Sequence, residues 1–126
     1  MANHRIPSKV EYKQAEKQLV LHYGSEMYSL SCEYLRVHSP SAEVKGHGPG
    51  QEILQTGKRN IAITKIEPVG NYALKLTFDD GHDSGLYDWA YLEKLAVDKE
   101  ALWQVYLDKL TEAGASREPA FFKSQG

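Results

Sequence analysis

The chain of 126 residues contains one cysteine, Cys32. That count excludes an internal disulfide and a zinc cluster built on cysteines, and it fits a reducing compartment. No flanking His or Asn pattern marks Cys32 as a nucleophile, so it reads as a small buried filler. Charge of one sign is also scarce: 15 Lys and Arg against 17 Asp and Glu leave a net charge of −2. No strongly basic face is imposed, and nucleic-acid binding is not expected. No stretch approaches the roughly 18 apolar residues of a membrane span. The opening residues Met1–Pro7 lack the hydrophobic run of a secretory signal. A cytoplasmic protein without membrane contact is expected.

What is present suits one domain. A hydrophobic content of 41% supports one modest core in a chain of this length. Val10 and Tyr12 alternate with charged residues, Leu19, Leu21 and Tyr23 alternate with Val20 and His22, and Met27 to Leu30 forms a third short strand. The three read as an antiparallel meander. Ser31 is placed to cap a short helix over Cys32 to Val37, with Glu33 in its first turn. Ser39 to Asn60 is a long glycine-rich connection, in which only Glu52 to Gln55 offers a further element. Ile61 to Ile66 begins the next strand. Tyr72, Leu74, Leu76 and Phe78 then share one face of a strand that turns over Asp80-Gly81 and returns through Ser84 to Tyr87. Asp88 and Asp98 start two helices, and Gly114 ends the second. Strands first and helices last give an α+β fold: an antiparallel sheet of meander plus hairpin, a short helix after the third strand, and C-terminal helices. The domain is expected to span residues 1–114, with 115–126 as a flexible tail. Tyr72, Phe78, Tyr87, Trp89 and Trp103 are read as core.

Two polar segments stand out, Leu35 to Gly48 and Phe78 to Trp89, which together hold three of the five histidines. His38, His47 and His82 can bind zinc or iron if the long loop folds against the hairpin, with Glu43, Asp80 or Asp83 adding an oxygen. Solvated loop histidines are the plainer reading, since no His pair has metal-ligand spacing. Asp79-Asp80-Gly81-His82-Asp83 lacks the alternating oxygens of a calcium loop and reads as a tight turn. Gly46 to Gly50 lacks the Lys-Ser/Thr ending of a phosphate loop. Arg36, with Ser39, Ser41 and Lys45, can receive an anion or form an ion pair with Glu33 or Glu43. Spacing shows no Ser/His/Asp arrangement.

Three motifs carry a resemblance: Glu33-Tyr-Leu-Arg-Val-His-Ser-Pro-Ser-Ala-Glu43, Val69-Gly-Asn-Tyr-Ala-Leu-Lys-Leu-Thr-Phe-Asp-Asp-Gly-His82, and Gly85-Leu-Tyr-Asp-Trp-Ala-Tyr-Leu92. From about Val10 to Leu95 the chain resembles the DUF971 family, the gamma-butyrobetaine hydroxylase-like N-terminal domain, and looks most like its stand-alone bacterial members. The resemblance implies a domain that precedes the catalytic domain of gamma-butyrobetaine and trimethyllysine dioxygenases. It also implies one that accompanies P-loop proteins linked to iron–sulfur cluster assembly. In the dioxygenases it implies a structural zinc held by three cysteines and a histidine. Here the cysteine positions fall on about Ser39, Ser41 and Glu43 or Val44, and the histidine on His82.

The favoured expectation is a non-catalytic binding or adaptor domain for a protein partner, linked by family association to iron or iron–sulfur handling. Its binding surface would combine Arg36, His38, Ser39, Ser41, Glu43 and His47 beside His82. A metal-binding protein using His82 with His38 or His47, and a small enzyme using the same polar cleft, are the alternatives. A shared site requires His82 to lie within reach of the segment Ser39 to Glu43.

Overall fold

The computed structural model describes residues 4–119. Its elements are β1 (Lys9–Lys13), β2 (Gln18–Tyr23), β3 (Glu26–Ser31), α1 (Cys32–Val37), α2 (Ala42–Lys45), β4 (Ile63–Val69), β5 (Ala73–Phe78), β6 (Leu86–Asp88), α3 (Trp89–Val97) and α4 (Lys99–Ala113). The strands form two antiparallel sheets, ordered β1-β2-β3 and β4-β5-β6. The α+β expectation holds, with β4 joining the expected hairpin to make it a second meander. No helix among the described residues is long and apolar enough to cross a membrane.

Alternation decides which faces meet. Leu19 pairs with Leu30 and Leu21 with Tyr28 in the first sheet, so these four side chains lie on one face, while the buried Val20 points to the other. Leu74, Leu76 and Phe78 do the same in β5, and both sets join one core with Leu35 of α1 and Leu92 and Leu95 of α3. Burial of such side chains contributes about 1.5–3 kcal/mol each. The Tyr12 hydroxyl of β1 accepts from the Ile63 N–H at 3.1 Å and from the Cys32 thiol at 3.7 Å. One half-buried phenol thus ties β1, α1 and β4 together.

Helix ends follow their caps. Ser31 Oγ accepts from the Tyr34 N–H at 3.0 Å and Asp88 Oδ1 from the Tyr91 N–H at 2.8 Å. Gly114 adopts the left-handed conformation at φ 63° and closes α4. All six residues of α1 are buried. Glu33 and Arg36 therefore need polar partners inside the fold.

Several expectations are corrected. Tyr72 is 55% exposed, because it belongs to the β4–β5 turn and the pleat starts only at Ala73. Phe78 and Tyr87 are core, whereas Trp89 and Trp103 pack at its margin. Glu52 to Gln55 forms no element. The long connection instead contains α2, a four-residue turn whose Ser41 Oγ accepts from the Glu43 N–H at 3.1 Å, too short for periodicity to signal. The return strand starts at Leu86, not Ser84. The hairpin turns over Asp79-Asp80-Gly81. The Gly81 N–H bonds to Phe78 O and the Phe78 N–H to His82 O, both at 2.9 Å, with Gly81 at φ 90°. This is a three-residue loop with a left-handed glycine, and it places His82 on the returning limb rather than at the tip.

Beyond Gly114, Ser116 O and Arg117 O accept from the N–H groups of Gly57 and Arg59, each at 3.0 Å. Residues 120–126 of the expected tail lie outside the described residues.

Candidate functional site

The two polar segments meet. Helix α1 delivers Arg36, the turn of the hairpin delivers Asp80, and Arg36 Nε donates to Asp80 Oδ2 at 3.0 Å. Lys58 Nζ donates to the same oxygen at 2.6 Å, and Arg36 also reaches Gln55 Oε1 at 3.1 Å. Asp80 Oδ1 accepts from the His82 N–H at 3.1 Å, an Asx-type bond that shapes the turn. Burial pushes the Asp80 carboxyl up, but Lys58, the His82 N–H and Arg36 together bring it down to about 2. The expected ion pair of Arg36 with Glu33 or Glu43 is not formed. Glu33 instead takes Arg117 at 2.8 and 2.7 Å.

Beside this pair, Ser39 Oγ and His82 Nε2 are 2.8 Å apart, and His82 Nδ1 lies 3.2 Å from Glu43 Oε1. A carboxylate only accepts, so Nδ1 carries the proton and Nε2 accepts from the Ser39 hydroxyl. Ser39 Oγ accepts in turn from the Ser41 N–H at 3.2 Å, and Ser41 Oγ meets Ser84 Oγ at 2.7 Å. Hydroxyl, imidazole and carboxylate follow the order of a nucleophilic triad, an arrangement that spacing did not reveal. Ser39 is nevertheless 0% exposed. A nucleophile without access to substrate is a structural hydroxyl.

Gly85 seals the contact. A Cβ there would stand 2.4 Å from Ser39 Oγ and 3.0 Å from Pro40 Cδ. Gly85→Ala is expected to destabilise the protein by about 2 kcal/mol through overpacking, measured by urea unfolding. A loss below about 0.5 kcal/mol would show that the hairpin and the Ser39 turn are not pressed together.

Burial lowers the proton affinity of both inner histidines. At His82 the Arg36 charge adds to burial and outweighs Glu43. At His38 burial dominates, opposed by the bond to Tyr34 O and aided by Lys109 and Lys45. Both folded-state pKa values lie below the ordinary 6.5, so the unfolded chain takes up protons first. Their contribution is complete above about pH 6.5 and falls as pH drops below it toward the folded-state values. The urea midpoint is therefore expected to be lower at about pH 5.5 than at pH 7.5. An unchanged midpoint would contradict the burial argument.

The seven expected residues thus separate. Arg36, Ser39, Ser41 and His82 are buried in the network that joins α1, α2 and the hairpin, so they offer no surface to a partner. The Glu43 side chain is 70% exposed, and His47 is exposed on the loop after α2. His38 sits elsewhere: its Nδ1 donates to Tyr34 O at 2.9 Å and its ring packs against Tyr34 and Tyr106. The three histidines have separate surroundings, and among the described residues no three His, Cys, Asp or Glu side chains group to hold a metal ion.

His38 instead lines an apolar cleft of about 320 Å³ between α1, α2, α4 and the loop before β4. Val37, Val44, Leu54, Leu102, Val105 and Tyr106 supply its walls. Two tyrosines hold it open. Tyr91 OH donates to His38 O at 2.6 Å and Tyr106 OH to Gln55 O at 2.8 Å. Sequence reasoning missed this cleft, because its walls come from four segments distant in the chain. The signals available were His38, Ser39 and Lys45 in the first polar segment and the amphipathic stripe of α4.

The family model described as gamma-butyrobetaine hydroxylase-like, N-terminal, matches residues 10–93. The chain belongs to that family. A protein known by an NMR solution structure is 52% identical over 98% of both chains, with a TM-score of 0.83. A second NMR solution structure is 45% identical over 100% of this chain and 95% of its own, with a TM-score of 0.80. A crystal structure of a DUF971-family protein of unknown function from Acidithiobacillus ferrooxidans is 30% identical over 71% of this chain and 91% of its own, at a TM-score of 0.60. No curated protein matches the chain.

The zinc site that resemblance to this family implies does not fit the residues present. Ser39 and Ser41 stand at about the positions where the resemblance puts cysteines, and neutral hydroxyls are poor zinc ligands. Both nitrogens of His82 are engaged by Ser39 and Glu43. Hydrogen bonds join the loop and the hairpin where the resemblance implies a metal.

Proposed function

We propose that the chain is a non-catalytic binding domain that receives a protein partner in the His38 cleft. The observation that supports this reading is a contrast in exposure: the Ser39 and His82 side chains are buried, while the adjoining cleft, which Ser39 also borders, is open and largely apolar. Ile53 and Val105, exposed by 54% and 47%, line the cleft. Exposed apolar side chains beside a concavity are the usual composition of a docking site. Kinship with the hydroxylase-like family supports a domain that works alongside other proteins, and the finer expectation is a partner concerned with iron or iron–sulfur clusters. The family label refers to an N-terminal domain, so dioxygenase chemistry is not carried over.

The test is capture of partners from the native cell by the wild type, by Val105→Glu and by Met27→Glu, which alters an exposed residue on β3. Proteins retained by wild type and Met27→Glu but lost by Val105→Glu are expected. Equal loss in both variants, or in neither, would sink the cleft as the docking site. Metal titration with elemental analysis addresses the metal-binding alternative, which requires stoichiometric zinc or iron.

A further inference from the structure

The charges around the cleft specify its occupant more closely. Two ammonium groups line it, those of Lys45 and Lys109, with one carboxylate, that of Glu52. The carboxylate is exposed, and the nearby backbone N–H groups of Glu52 and Gly50, followed by Lys109 and Lys45, favour its charged form, so it offsets one of the two ammoniums. Lys45 is held at the cleft wall, its Nζ 4.5 Å from the Tyr91 ring centroid. Both lysines line the same cleft as His38, and their charges add to the burial that disfavours its protonation. The result is an apolar slot with a net positive rim. The same cleft is lined by the His38 imidazole, which donates through Nδ1 to Tyr34 O and keeps Nε2 as an acceptor.

We propose that the cleft binds a short acidic peptide segment of a partner protein. A large apolar side chain fills the slot, and an adjacent Asp or Glu carboxylate lies between Lys45 and Lys109. This rests on the reading of the cleft as the docking site and names the chemistry of what docks. A peptide fits better than a free carboxylic acid because the imidazole acceptor suits a backbone N–H, and because exposed Ile53 and Val105 extend the apolar surface beyond the slot.

The probes are acetyl-Leu-Asp-amide, acetyl-Leu-Asn-amide and 4-methylpentanoate, titrated into the full chain and followed by amide chemical shifts. The Asp probe is expected to shift residues 37–38, 44–45, 53–55 and 102–109 with a dissociation constant on the order of millimolar. It should bind roughly five-fold more tightly than the Asn probe, the gain expected from two exposed ammoniums. That preference should vanish in Lys45→Gln/Lys109→Gln, whose exposed side chains can change without unfolding the protein, as its spectrum will show. Equal binding of the Asp and Asn probes overturns the acidic occupant and leaves the cleft as the docking site. Binding of 4-methylpentanoate as tight as that of the Asp probe overturns the peptide source in favour of a free carboxylic acid. No shift in the cleft with any probe at ~20 mM, well above a millimolar constant, overturns the docking reading as well.

Discussion

Arg36→Ala is expected to lower the unfolding free energy by about 3 kcal/mol, the scale for removing one partner of a buried charge pair. Thermal unfolding should shift down by roughly 10 °C in a domain of this size. Arg36 is 7% exposed and bonds to both Asp80 and Gln55. Truncation leaves a cavity and deprives Asp80 of its inner partner, although Lys58 remains at 2.6 Å. Lys58→Ala should therefore cost less, about 1 kcal/mol, because its amine is nearer water. A second variant separates charge from packing. In Arg36→Met/Asp80→Asn both charges are gone and much of the volume remains, so most of the stability should return. If Arg36→Ala unfolds like wild type, the arginine is not a structural tie, and its earlier reading as a surface anion receptor regains force.

That result would also show why the network was only half legible in the sequence. Glu33 and Arg36 are three residues apart on α1, the spacing at which helix neighbours pair. Local rules therefore favoured a bond between them. The structure gives Glu33 to Arg117 and Arg36 to Asp80, partners 84 and 44 residues away. With the whole of α1 buried, each charged side chain follows the path that packing leaves open, and no periodicity encodes that path. The Ser31 and Asp88 caps, the alternation of β5 and the Gly114 stop were readable because each depends on residues within one turn or one pleat. His82 falls between the two cases. The resemblance placed it near Ser39 to Glu43, and Ser39 does meet it at 2.8 Å. Its burial was not readable, because a left-handed Gly81 in a three-residue loop, rather than a two-residue turn, sends the ring inward.

The same contrast explains how a polar cluster that looked functional can be architecture. Segment 35–48 has no strand to pair with, and α2 is one turn long. Buried backbone and hydroxyl groups there need partners. Ser39, Ser41, Ser84 and His82 supply them to one another across the hairpin, as the 2.7–2.8 Å contacts show. Satisfying these groups rigidifies one wall of the fold and leaves α1 and α4 to shape the cleft. The chemistry exposed to a partner is therefore that of Val105, Ile53 and the two lysines, of which only Lys45 belongs to a polar segment.

The Glu33–Arg117 pair carries the second large effect. Arg117→Ala is expected to destabilise the protein by about 2 kcal/mol, less than for a fully buried pair because the guanidinium keeps some contact with water. Glu33 is 5% exposed and bonds to Arg117 through both carboxylate oxygens, at 2.7 and 2.8 Å. The carboxylate in turn pushes the guanidinium pKa above its ordinary value. Arg117 also lies 5.2 Å from the Trp103 ring centroid, so part of the loss is packing. Adding Glu33→Gln to Arg117→Ala removes the stranded charge, and the double variant should regain about 1 kcal/mol over Arg117→Ala. Both measurements are urea unfolding at pH 7.5. A residue three positions past Gly114 would then belong to the folding unit, and a domain boundary at residue 114 would be drawn too early. If instead Arg117→Ala unfolds at the wild-type midpoint, the boundary stands and the buried Glu33 carboxylate is sustained by the α1 N-terminus, where the helix dipole favours an anion.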